Sequence, residues 1–215
     1  MDTLDAAAAV TADMIWIPGG TFRMGSESHY PAYTPSPLVP EALWYADRKW
    51  INVFPGNATF SAPTFNFLDA RTGFFTYAYS ASPGMAARIE NVEAKYPATF
   101  VDADGDFLNG GGSYKLRLPP NIPAAIFWSA TVYDPLTGSG LDNGQAFPSL
   151  NTTDKPAQAS DGSVDLYFGP ESPGAGKNWL RTIPDKGFFA IFRLYGPTKA
   201  FFDKSWKPGD LEKVK

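Results

Sequence analysis

The chain has 215 residues, enough for one large domain, or one domain with a small appendage, that buries roughly 70% of its unfolded surface. With 44% apolar and 15% aromatic residues and a net charge of only −4, it is not a disordered chain; 20 glycines and 20 prolines favour turns and short strands over a helical bundle. The absence of cysteine excludes disulfides, thiolate nucleophiles and iron–sulfur sites. The single histidine, His29, excludes a multi-histidine metal centre and leaves a serine triad without a well-placed base.

Charge is spread unevenly: residues 1–110 carry net −6 and residues 111–215 net +2. Neither half holds the clustered basic stripe that phosphate contacts need, so no nucleic-acid partner is expected. The opening MDTLDAAAAVTAD lacks the basic leader and apolar core of a signal peptide. No apolar run approaches the roughly 20 residues of a membrane span, and the chain reads as soluble with its compartment open.

In chain order, the first patterned stretch is MIWIPGGTFRMGSESHYPA, residues 14–32. It resembles the opening of the formylglycine-generating sulfatase-modifying family, whose chemistry resides in cysteines that this chain does not have. PAYTPSPLVP, with four prolines in ten positions, ends a leader and linker over residues 1–40. A small helical subdomain is expected over residues 41–96. Leu43, Ala46 and Trp50 recur at helical spacing and predict a short amphipathic helix. Thr64 can cap a second one that presents Phe67, Arg71, Phe74 and Ala78 on one face. Ser82 and Pro83 open a third, with Met85, Ile89 and Val92 in register, giving a helical hairpin over residues 64–95.

After Pro97 the period becomes that of strands. ATFVD, DADGD and GGSYKLRL predict a hairpin about an Asp-Gly turn. Asp102, Asp104 and Asp106 faintly resemble a calcium loop, but Ser113 stands where the closing glutamate belongs, which favours an ordinary turn. Further strands are expected over 124–134, 163–169, 178–183 and 187–196, with residues 142–161 as a long surface loop anchored by FPSL. Thr198 caps a helical turn that buries Phe201, Phe202 and Trp206. Short strands divided by Gly, Pro and Asp turns predict a mainly β fold, a jelly-roll β-sandwich over residues 97–215.

From about Trp44 onward eight blocks in order, among them YPATFVDADGDFLNGG, YKLRLPPNIPA, FWSATVYD, DGSVDLYFGP, KGFFAIFRLYGP and FDKSWKPGDLEKVK, resemble the C-terminal part of the bacterial domain of unknown function 1254/1214 family. The resemblance implies a helical segment followed by a jelly roll, and no established activity. Family members are about twice as long, with an N-terminal β-domain ahead of the matching part. Its loss would expose an apolar patch and promote a homo-oligomer.

Chemistry on the sandwich is left to acids, arginine and aromatics. No G-x-S-x-G elbow or phosphate loop occurs, and no cofactor or metal site is expected. Strand alternation puts Phe127, Ser129, Thr131 and Tyr133 on one face, Asp165 and Tyr167 on one face, and Arg193 and Tyr195 with Phe189 and Ile191. This mixed face is the candidate site for a small polar or carbohydrate-like ligand, with Arg193 and Asp165 donating and accepting hydrogen bonds and Tyr133, Tyr167 and Trp179 stacking. The alternative is a carboxylate-based hydrolase or lyase using two of Asp102, Asp134 and Asp165 as acid and base.

Overall fold

The longest alternating runs become the spine of the fold. In the computed structural model, which describes residues 43–52, 64 and 89–214, strands β5 (Ala124–Tyr133) and β9 (Phe189–Pro197) pair antiparallel along most of their length. Trp128 faces Leu194, Ala130 faces Phe192 and Val132 faces Ala190, so each alanine on the inner face sits opposite a larger residue. β2 (Ala94–Lys95) and β3 (Pro97–Thr99) run along the other side of β9, and β1 (Ile51–Asn52) and β6 (Ser149–Asn151) complete a six-stranded sheet in the order β1-β3-β9-β5-β6, with β2 on β9. A four-stranded sheet has the order β10-β4-β7-β8, built from β10 (Glu212–Lys213), β4 (Tyr114–Leu118), β7 (Val164–Gly169) and β8 (Asn178–Arg181). β7 and β8 are parallel, whereas the other strand pairs among the described residues are antiparallel.

The sheets meet through one core. Leu116, Leu118, Val164, Leu166, Phe168 and Leu180 from the smaller sheet pack with Trp128, Ala130, Val132, Ala190, Phe192 and Leu194 from the larger. Phe192 is fully buried, its ring centroid 5.8 Å from Trp128, 6.0 Å from Trp206 and 6.4 Å from Trp50. Burying such a ring contributes roughly 2–3 kcal/mol. The helical turn α1 (Lys199–Phe202) buries Phe201 against Trp44, 4.9 Å between centroids, and Tyr45, 6.5 Å. Trp50 donates its indole N–H to the Gly209 carbonyl at 2.7 Å, and Lys49 N–H is accepted by Asp210 Oδ1 at 2.8 Å, fastening residues 43–52 to residues 208–211. Burial pushes the Asp210 carboxyl above its ordinary value, with the Lys49 amide acting against that rise.

Several expectations are corrected. Residues 43–52 form turns and β1 in place of a helix. Ten residues are too few to offset helix nucleation, and Leu43 instead bridges Ile51. The hairpin over residues 64–95 lies mostly outside the described residues; its described end, residues 89–95, is a turn followed by β2. The Asp-Gly turn forms, with Gly105 at φ +93° and Val101 bridging Phe107, but β3 and β4 belong to different sheets and are not hairpin partners. The chain crosses between sheets at Gly110, where a Cβ would lie 2.0 Å from the Ile183 carbonyl oxygen, so only glycine fits there. Ile126, which strand alternation would place with Trp128, Ala130 and Val132 on the inner face, is exposed because the β5–β9 register shifts between Ala124 and Phe127. The loop over 142–161 contains β6 and a short 3-10 turn, Thr152–Asp154.

Candidate functional site

The alternation that sends Trp128, Ala130 and Val132 inward sends Ser129, Thr131 and Tyr133 to the outer face of the six-stranded sheet, and sends Arg193 and Tyr195 outward from β9. Registers on either side of Tyr96 place it across β9 from Arg193. Arg193 is half-buried. It donates from Nη1 to Thr131 Oγ1 at 3.1 Å and from Nη2 to Tyr133 Oη. Its guanidinium carbon lies 5.3 Å from the Tyr133 ring centroid and 5.9 Å from that of Tyr96. Among the described residues no carboxylate lies within 4.0 Å of its nitrogens. Burial, then the neighbouring Tyr195, push the Tyr96 phenol above its ordinary value, while Arg193 acts the other way, so this hydroxyl stays protonated. Beside this group Tyr133 stacks on Phe189 at 5.2 Å and Phe189 on Phe100 at 4.6 Å, next to Ile51, Ala98 and Ile191.

Asp165, Tyr167 and Trp179 lie elsewhere. They occupy β7 and β8 on the outer face of the four-stranded sheet, where Lys115, Tyr167 and Trp179 stand side by side in register. Asp165 is bonded to Lys115 at 2.9 Å and to Arg117 at 3.4 Å, and Arg117 also reaches Asp161 at 2.8 Å. Lys177 lies over the Tyr167 ring at 5.7 Å and Arg181 over the Trp179 ring at 5.6 Å. The five candidate residues therefore divide, Tyr133 and Arg193 on one face and Asp165, Tyr167 and Trp179 on the other, with the core between them. Alternation within a strand defines inside and outside but not which sheet the strand joins, and that is where the expectation of one shared face fails.

The three carboxylates considered for acid–base work are also separated, and each holds a lysine. Asp134 meets Lys186 at 2.6 Å, and the Lys186 ammonium, assisted by the Leu136 and Thr137 amides, holds its carboxyl below the ordinary value. Asp165 holds Lys115. Asp102, Asp104 and Asp106 bring carboxylate oxygens within 4.8 Å of one another, and Lys213 from β10 reaches all three, at 3.1, 3.4 and 2.6 Å. Asp102 also accepts the Asp104 and Asp106 amides on Oδ1 at 3.0 Å each, so the turn is closed by a tethered ammonium. Tyr96 was not among the expected site residues, because Pro97 reads as a boundary; the alternation of β3 carried back through Tyr96 is the signal that finds it.

The fold is that of a two-sheet, mainly β protein with polar groups on both outer faces. Residues 93–199 match the family described as Protein of unknown function (DUF1214), in agreement with the resemblance of the C-terminal blocks. The segment 14–32, likened above to the sulfatase-modifying family, lies outside this match and outside the described residues. No curated protein matches the chain. Among solved structures, the VPA0106 protein from Vibrio parahaemolyticus is 25% identical, with a TM-score of 0.49 over 68% of this chain and 35% of that one. An uncharacterised protein from Burkholderia cenocepacia is 18% identical, with a TM-score of 0.45 over 63% of this chain and 31% of that one. The chain thus matches about a third of the length of each. Among the described residues no helix is long and apolar enough to cross a membrane.

Proposed function

We propose that the protein is a binding module whose six-stranded sheet takes a small anionic, sugar-acid-like ligand at Arg193. The observation that carries this reading is a half-buried guanidinium surrounded by hydroxyls and aromatic rings, with no carboxylate beside it among the described residues. Removing a charge from water costs several kcal/mol unless a counter-charge offsets it, so such a group favours an anion. Thr131 and Tyr133 engage two of the five N–H donors, leaving others for a planar carboxylate. The jelly-roll strand order accompanies this reading as its architectural part. The carboxylate-based hydrolase or lyase has less support, because Asp102, Asp134 and Asp165 are each bonded to a lysine.

The test is a thermal-shift screen against neutral sugars, uronic acids, simple organic acids and divalent cations, since a ligand of the native state raises Tm by mass action. A saturable shift with uronic acids that disappears in Arg193→Ala is the expected result, and Arg193→Lys, which keeps the charge without the fork, should retain only a fraction of it. An unchanged shift in Arg193→Ala, or no shift with any acid, overturns the reading.

A further inference from the structure

Alternation carries the outer face of Arg193 across β5 to β6. Ala130 stands opposite Leu150 and both turn to the core, so their flanking residues turn outward: Ser129 opposite Asn151, and Thr131 opposite Ser149. Ser129 is also the cross-strand partner of Arg193 on its other side. One outward row therefore runs Asn151, Ser129, Arg193 over β6, β5 and β9.

Two members of this row have bonding capacity to spare. Ser129 is only 6% exposed, and among the described residues its hydroxyl has no hydrogen-bond partner. A polar side chain so deeply placed is rarely left unpaired by the protein, and where it is, water or a ligand completes it. Asn151 is the second. Its Oδ1 accepts the Thr153 N–H at 2.8 Å and the Thr153 hydroxyl at 2.5 Å, while Asp154 Oδ2 accepts the Asn151 N–H at 2.9 Å. The Thr153 N–H can only donate, which fixes the oxygen end of the amide. Nδ2 is thus held in one place by the cap, with two N–H donors and no partner among the described residues.

The Arg193 guanidinium leans along β5 to Thr131 and Tyr133 and does not bond Ser129. Thr131 and Asn151 are diagonal neighbours on β5 and β6, roughly 7–8 Å apart, which leaves the width of one sugar ring between the cation and the amide, with the Ser129 hydroxyl beneath. Resting on the reading of Arg193 as an anion site, we propose that Ser129 and Asn151 determine its specificity. They bond the ring hydroxyls of a sugar acid whose carboxylate Arg193 holds, and the ligand lies across β5 from β9 toward β6.

The test is calorimetric titration of the full chain with glucuronate and with cyclohexanecarboxylate, two ring acids of equal charge of which only the first carries hydroxyls. The expected result is that glucuronate binds more than about tenfold tighter, and that Ser129→Ala and Asn151→Asp each cut this ratio by about fivefold, the worth of one hydrogen bond. Ser129→Ala removes a hydroxyl that bonds nothing in the fold, and Asn151→Asp keeps the capping oxygen while turning the free donor into an acceptor. A substitution that merely loosened the sheet would weaken both acids alike and leave the ratio unchanged. Equal affinity of the unmodified protein for the two acids, or a ratio unchanged in either variant, overturns the proposal and leaves Arg193 as an anion site. Binding of neither acid by the unmodified protein removes the anion site itself, and this proposal with it.

Discussion

The outer faces of the two sheets present similar residues, arginine with tyrosine on one and lysine, arginine, tyrosine and tryptophan on the other, yet their charges are balanced differently. On the four-stranded sheet Asp165 and Asp161 answer Lys115 and Arg117, and the aromatics are covered by Lys177 and Arg181. On the six-stranded sheet Arg193 has hydroxyls and rings for neighbours. A face whose charges are internally matched is cross-strand cement, whereas the proposed anion site rests on a half-buried cation that has no carboxylate beside it among the described residues. Composition alone does not separate these cases, because the distinction depends on which carboxylates reach which cations.

The inner face sets the scale for testing this contrast. Phe192→Ala, which opens a cavity among three tryptophans, should lower stability by about 3–5 kcal/mol in chemical denaturation. A much smaller loss would mean that the sheets do not share one core. Asp165→Ala should cost about 1 kcal/mol, the upper end for half-exposed pairs, and should give the four-stranded face an anion-dependent thermal shift that it otherwise lacks. Arg193→Ala should change stability by less than about 1 kcal/mol while abolishing any shift on its own face. Reversal of these two results would exchange the roles of the faces.

The smallest effect is in acid. Asp134 has a folded pKa below its ordinary value because of Lys186, so its contribution is present above that ordinary value and is lost as pH falls through the lower, folded one. The melting temperature of Asp134→Asn should therefore fall less steeply than that of the unmodified protein as the pH is lowered below the ordinary aspartate value.

The long strands were legible because their alternation is clear. Trp128, Ala130 and Val132 against Ser129, Thr131 and Tyr133 define two faces without any partner in view. The two- and three-residue strands β1, β2, β6 and β10 leave no period to detect, and their pairing depends on residues far away, as Ile51 with Ala98 and Lys213 with Tyr114 show. The same limit divided the candidate site. Arg193 and Tyr133 were rightly placed on one face, but no pattern within β7 reports that Asp165 and Tyr167 stand across the core from them.

The fastening of residues 43–52 to residues 208–211 has a consequence for synthesis. Trp50 and Tyr45 leave the ribosome long before Gly209 and Phe201 exist to cover them, the carbonyl that accepts the Trp50 indole N–H lying 159 positions further along the chain. A nascent chain must carry these aromatics uncovered until nearly all of the sandwich has been made. The final closure is then a long-range event, slow by its topology and exposed to aggregation while it waits.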